Sequence, residues 1–540
     1  MGASLATLGG AALAQRGLAA PGGPVEDLPP PTPIPYTPFT ADLPRPPIAQ
    51  PLAVSKRGAP FKPGDCFHGI APEFSRLAEW QVYPLKYYSL EMRESVHEFI
   101  PGVPTPVWAY NGIVPGPTFK ARMGEPAVVR FTNRLPVENS VHLHGGHTPA
   151  HADGHPYFYV LPGKARDYFY PNTVPLLNGA RDYSESISTG WYHDHAMDIT
   201  AYTAYLGLSG FYLVTDALEA GLIGNQILPA DAYDVPLALC DKRFNADGTL
   251  YYDFLNHDGA IGDVFLANGK VQPRMVVERR KYRFRILNAG NARFLNLRLS
   301  NGQPFLQIGN DSWLLPYAMP RPEILMGMGN RVDVIIDFTN APNELYLTNN
   351  LEQIDGRKPT GLFLANPIPL VKFIVQGTKP RSDAKVTANT VLRPHVAIRP
   401  EEIVASRTFD LGRTNGSWVI NDQLFDPLRA DAVPRLGSAE RWTITNGSGG
   451  WWHPLHVHLE SHQVLSINGQ APPPWLSFKS DTTVLPDSTT VQFVMKFRTF
   501  TGPFVFHCHN LEHEDLRMMM NVDPRVTPVP APTPVLNIYS

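Results

Sequence analysis

Cysteine is nearly absent from this 540-residue sequence. Three residues are too few for a disulfide framework, so stability must come from buried apolar cores. Neither charge sign dominates: 46 Lys and Arg stand against 49 Asp and Glu, a net charge of −3 that gives no reason to expect a nucleic-acid partner. No apolar run reaches the ~18 residues of a membrane span. Helical periodicity is weak, whereas 55 prolines and 43 glycines favour short strands joined by many turns, the composition of β-sandwiches. A chain this long exceeds one ordinary core, and two to four domains are expected.

The ends differ from the middle. Residues 1–20, MGASLATLGGAALAQRGLAA, resemble the apolar and cleavage regions of an export signal with its basic start missing, the alternative being a flexible tail. An export signal predicts a periplasmic or secreted protein. Residues 21–74 open on a proline-dominated stretch, predicting an extended strap over a surface or a disordered leader, and residues 526–540 repeat that character. Between them a pattern recurs three times: Tyr110 to Asn133, Ala267 to Asn288 and Ile420 to Asn446. Each has an Asn-bearing turn, a proline-bearing link and an alternating strand (VVRFTN, YRFRILN, RWTITN) that closes on Asn. A spacing of about 155 residues suits three sandwich domains, at 75–220, 221–385 and 386–525.

Histidine carries the chemistry. With 18 histidines, a pair two residues apart is expected about 0.6 times by chance, yet there are four: His142/His144, His193/His195, His456/His458 and His507/His509. On a strand, residues i and i+2 leave the same face, roughly 7 Å apart, so each pair delivers two imidazoles to one side. Four such strand ends converge eight imidazoles, enough for more than one copper, zinc, iron or nickel ion. Cys508 lies between His507 and His509 and faces the other way. It therefore binds a different ion while staying covalently joined to both neighbours. With His453, His513 and a weak axial Met518 it makes the ligand set of a blue-copper electron-transfer site. Zinc hydrolases use three or four ligands and no such Cys/Met pair.

The motifs HLHGGH at 142, WYHDHAM at 191, HPLHVHL at 453 and HCHNLEHEDLRMM at 507 closely resemble those of the multicopper oxidases, over roughly residues 75–525. HEDLRMM and WYHDHAM are most similar to the group of spore-coat laccase, bilirubin oxidase and phenoxazinone synthase. The resemblance implies an all-β chain of three cupredoxin-like Greek-key β-sandwich domains and four copper ions. Type 1 copper would take His453, Cys508, His513 and Met518; type 2 would take His142 and His456; the type 3 pair would take His144, His193, His195, His458, His507 and His509. The implied reaction draws single electrons from a small donor at type 1 copper, passes them through Cys508, and reduces O₂ by four electrons to water. Glu514 and Asp153 match acidic positions near the cluster and would relay protons or orient ligand histidines.

Phenols, aminophenols or bilirubin-like molecules are the expected donors, with WWHP and Ala471–Trp475 as candidate pocket rims and the chain expected as a monomer. The alternative is an oxidase of Mn(II) or another metal ion, resting on Glu460 and His462 near the type 1 edge. An electron-transfer or copper-storage protein would need an incomplete ligand set, and none is missing. His147, His151 and His155 read either as satisfied histidines on a solvated loop or as a peripheral copper or manganese site. Cys66 and Cys240 either pair or stay buried as small apolar groups.

Overall fold

The computed structural model describes residues 31–53, 82–177 and 180–536. Apart from one two-stranded ribbon, the sheets come in three pairs along the chain, four strands on four, seven on five and six on six, each pair closing on its own apolar core. This is the expected all-β architecture of three cupredoxin-like sandwiches. The described helices are short: Thr200–Leu206, Ala217–Gly224 and Leu511–Asp515. None is long and apolar enough to cross a membrane.

The repeat read in the sequence is a repeated hydrogen-bonding device. The three closing strands Ala127–Asn133, Lys281–Asn288 and Ala439–Asn446 each run parallel to the strand that opens their sandwich: Lys86–His97, Asp234–Lys242 and Ile403–Thr414. The turn asparagines Asn111, Asn268 and Asn421 sit at φ of 53°, 46° and 52°, a left-handed region that asparagine tolerates better than most residues. Each side-chain oxygen accepts a 2.8 Å bond from the opening strand, from the backbone N–H of Glu91, Ala238 and Asp410 respectively. The closing asparagines Asn133, Asn288 and Asn446 are buried, and each accepts from the backbone N–H two residues on. Their amide nitrogens tie down the loops that follow: Asn133 holds Val160, Asn288 holds Arg293 and Asn446 holds Trp451.

Two expectations need correction. Period-two alternation marks YRFRILN as a half-buried strand, but both of its arginines are buried. Arg283 and Arg285 lie among Glu219, Asp234 and Asp333, with Ser188 and Thr189 of the first sandwich against them. The outer face of that strand is an interface between sandwiches. The C-terminal tail is not merely a proline-rich extension, because Thr533–Pro534 adds an edge strand beside Arg429–Ala432. Residues 31–53 do form a strap: Thr32 bonds Asp263, Leu43 bonds Arg274 and Ala49 bonds Thr118, which links the second sandwich to the first. Residues 1–30, with the proposed export signal, and Cys66 lie outside the described residues.

The core of the third sandwich extends into the first. Val128, Ala150 and Phe169 of the first belong to the same buried cluster as Trp418, Trp442, Phe506 and Cys508 of the third. That continuous apolar contact fixes the angle at which their histidine strands meet.

Candidate metal centres

Strand pairing sets the histidines in place. Val141–His144 lies antiparallel to Thr189–Asp194 with His142 opposite His193, and His453–Val457 lies antiparallel to Phe504–Cys508 with His456 opposite His507. The four pairs meet between the first and third sandwiches and form three all-histidine groups, His144 shared by two of them, whose ligand atoms lie within 4.8 Å of one another: His142, His144 and His456; His144, His193 and His509; His195, His458 and His507. In the last, the three Nε2 atoms stand 3.2–3.3 Å apart. A triangle of that side has its corners about 1.9 Å from its centre, close to a metal–imidazole bond. His142 Nε2 and His456 Nε2 are 3.4 Å apart.

A separate group lies wholly in the third sandwich. His453 Nδ1 is 3.2 Å from Cys508 Sγ, His513 Nδ1 is 3.5 Å from it, and the two nitrogens are 3.2 Å apart. Asn510 caps the helix Leu511–Asp515 and thereby sets His513 over the sulfur. The chain then turns back, Met518 N–H donating to His513 O and Cys508 N–H to Met518 O, so that Met518 is buried in the same core as Cys508. Pleating separates the three neighbours: Cys508 belongs to one group, His507 and His509 to two others.

The donors fit soft or borderline transition ions. Burial, reinforced by neighbouring imidazoles, holds His142, His144, His193, His456 and His458 well below the usual histidine range. They are therefore neutral and have lone pairs to give. His193 Nε2, His144 Nδ1 and both ring nitrogens of His509 are buried without a hydrogen-bond partner. Clustered buried nitrogens of this kind suit the coordination of a metal ion. Burial also pushes the Cys508 thiol up, so a bound cation must displace its proton.

Comparison with known proteins agrees. The multicopper oxidase family matches residues 91–219 and again residues 398–527. A laccase of Bacillus stratosphericus is 34% identical, over 81% of this chain and 94% of that one. A bilirubin oxidase of Albifimbria verrucaria is 32% identical, over 91% and 82%. Among solved structures, a laccase from Pediococcus acidilactici superposes with a TM-score of 0.74 at 25% identity, covering 92% of this chain and 95% of that one. The chain belongs to the multicopper oxidase family. It is a copper-dependent oxidoreductase that uses O₂.

Three carboxylates face the outer nitrogens of the oxidase's histidines. Glu514 spans two of them, 2.9 Å from His195 Nδ1 and 3.1 Å from His507 Nδ1. Burial would raise its carboxyl, but those imidazoles hold it well below the usual range. Asp153 lies 2.6 Å from His458 Nδ1, its backbone oxygen contacts His142 Nδ1, and burial pushes its carboxyl well up. Nothing in the sequence marks Asp481. Its side chain lies 3.2 Å from His144 Nε2, and its backbone oxygen accepts from His456 Nδ1 at 2.9 Å. Burial raises it to about 6, against the opposing pull of Arg331. Arg331 comes from the second sandwich, which supplies none of these ligands yet supports them. Its neighbour Gly329, at φ +79°, lies so close to His509 that a Cβ would stand 2.7 Å from the ring.

The three histidines that follow the first motif are not on a solvated loop. His147, His151 and His155 are buried, His147 facing Leu459 O and His155 bonding Asn521. None of the ligand groups found among the described residues includes them. Glu460 and His462 are not exposed at a metal-accepting edge. Arg498 binds the Glu460 carboxylate, while His462 bonds Thr483 and packs against Phe493 in a tilted contact. Of the candidate rims, Trp451 is partly exposed beside the Cys508 site, whereas Trp475 lies under the Arg321 guanidinium.

Proposed function

We propose that the chain is a laccase-type oxidase, oxidising phenols, aminophenols or bilirubin-like donors one electron at a time. The names of the relatives support that donor range, as does the engagement of Glu460 and His462 elsewhere. His453, Cys508 and His513 would hold type 1 copper with Met518 as a weak axial ligand. His142 and His456 would hold type 2. His144, His193 and His509 would hold one type 3 ion, and His195, His458 and His507 the other, four coppers in all. Copper, when bound, accepts electrons singly at the Cys508 site and reduces O₂ to water at the cluster. The backbone from Cys508 to His507 and His509 joins the two by covalent bonds.

Water formation also consumes protons. Glu514, placed against two Nδ1–H groups, and Asp153, placed against a third, fix which ring nitrogen faces the metal and stand as proton carriers beside it. The domains are taken as 75–220, 221–385 and 386–525, and the protein as an exported monomer.

The observation that carries this reading is the partition around Cys508: its sulfur closes one ligand group while its two neighbours close two others. Cys508→Ser tests it. The variant should lose the blue absorption near about 600 nm and all oxidase turnover while keeping about three of four coppers. Turnover of a phenolic dye by that variant would refute the electron route.

A further inference from the structure

The outer imidazole of the cysteine site, His513, has no exposed edge. His513 is 0% exposed. Its Nδ1 faces Cys508 and His453, its Nε2 meets the backbone oxygen of Asp258 at 3.1 Å, and Trp418, also 0% exposed, covers the ring with centroids 3.9 Å apart. Asp258 sits on a loop of the second sandwich that is fastened down. Asn510 donates to Asp258 O at 3.0 Å and to Gly356 O at 3.4 Å, Arg357 Nε donates to the Asp258 carboxylate at 2.8 Å, and Trp452 N–H donates to Arg357 O at 3.0 Å. Gly259, at φ +130°, has no room for a Cβ, which would collide with Ala292 and Asn510. A donor arriving from solvent meets this cap and not His513.

Outside the cap stands Trp451, partly exposed, its ring 5.2 Å from that of Trp418 in an edge-to-face contact. Two guanidinium groups flank it, Arg357 at 4.9 Å and Arg413 at 5.0 Å from the ring centroid. Both turn towards the single carboxylate of Asp258, Arg357 at 2.8 Å and Arg413 at only 3.9 Å. Their side chains are 30% and 29% exposed. Lys358 and Asp487 pair with each other, and Asp355 accepts from the Arg357 backbone. The Arg413 guanidinium therefore keeps its donor edge for a ligand, and Arg357 keeps its two terminal nitrogens. Planar guanidinium donors beside an indole match an aromatic ring that bears a carboxylate or sulfonate.

We propose that the Arg357–Trp451–Arg413 face is the donor-docking platform, that it selects aromatic donors carrying an anionic group, and that electrons pass inward across the Trp451–Trp418–His513 contacts. This rests on the phenol-oxidase reading above. Each docked phenol gives up one electron through the indoles and its hydroxyl proton to water, leaving a phenoxyl radical. Four such events supply the four electrons that, with four protons, convert one O₂ to two waters.

Syringate and 2,6-dimethoxyphenol share a ring and differ by one carboxylate. The copper-loaded enzyme should favour syringate in KM. Arg413→Gln should lower the syringate-to-dimethoxyphenol ratio of kcat/KM about tenfold, through KM. Trp451→Leu should lower kcat for both donors about tenfold with the blue band unchanged. In the copper-free protein, 3,4,5-trimethoxybenzoate, which has no phenol to oxidise, should quench tryptophan fluorescence saturably, more weakly in Arg413→Gln, and its methyl ester should not. An unchanged donor ratio in Arg413→Gln, or equal binding of acid and ester, would overturn the platform. An unchanged kcat in Trp451→Leu would overturn the route. Oxidation of neither phenol by the copper-loaded enzyme would sink the phenol-oxidase reading instead, and the binding measurement would still decide the platform.

Discussion

The cysteine site and the histidine cluster differ in how much of the molecule each needs. His453, Cys508 and His513 come from one sandwich, from adjacent strands and the short helix that follows. The cluster takes four imidazoles from the first sandwich and four from the third, more than 300 residues apart in contacts such as His195 to His507. The first site draws its ligands from one sandwich, and only its cap at Asp258 comes from another. The second exists only when two sandwiches dock, and here a third helps to hold them. The ligands of the cysteine site are thus local to one sandwich, whereas those of the cluster belong to the assembly.

Arg331 offers the largest break in that comparison. It is buried, and its guanidinium contacts Asp481 together with Ser312 Oγ and the backbone oxygens of Gly329 and Thr189. Removing one partner of a buried pair costs about 3–5 kcal/mol, because the other charge is left stranded. Arg331→Met should release Asp481 from His144 and weaken copper binding at the cluster about 10–100-fold. The blue absorption of the cysteine site should persist. Copper analysis alongside the visible spectrum checks this, and equal loss from both sites would show that the cysteine site also depends on docking.

Acid should separate the two sites by a smaller margin. Glu185 of the first sandwich lies 3.1 Å from Lys479 and 3.2 Å from Arg498 of the third. Burial would raise its carboxyl, but those cations hold it at about 2. A carboxyl depressed in the folded state contributes stability above its unfolded pKa of about 4.3, and that stability drains away as pH falls towards 2. The shift corresponds to about 3 kcal/mol. Between these pH values the cluster should lose copper before the blue band fades, and Glu185→Gln should flatten that dependence. Wild type and variant losing cluster copper in parallel would remove Glu185 from the account.

The same contrast explains what could be read from the sequence. The four His-x-His pairs and the reversed cysteine were legible because pleating is local: two residues along a strand always return to the same face. The three sandwiches were legible for a like reason, since Asn111, Asn268 and Asn421 each answer to a turn of their own. Asp481 and Arg331 were not legible. They meet across 150 residues, and no spacing marks such a contact. Nor could period two say that Arg283 and Arg285 face another sandwich, because alternation separates two faces without naming what covers either. Asp153 and Glu514 were found only through resemblance to a family.

The smallest effect should fall on the cysteine site alone. His453 Nε2–H donates to Ser448 Oγ at 2.9 Å, and Ser448 donates to Asn446 Oδ1 at 2.7 Å, so the closing asparagine of the third repeat fixes the orientation of a candidate copper ligand. Ser448→Ala leaves a buried N–H without its acceptor, at a cost of about 1 kcal/mol and a melting temperature lower by about 2–4 °C. The blue band should shift or broaden as His453 loses its anchor, while copper at the cluster stays bound, since no cluster histidine touches Ser448. Cluster copper lost together with the band would mean that a tilt of one imidazole spreads across the sandwich. The cysteine site could then no longer be treated as binding copper independently of the cluster.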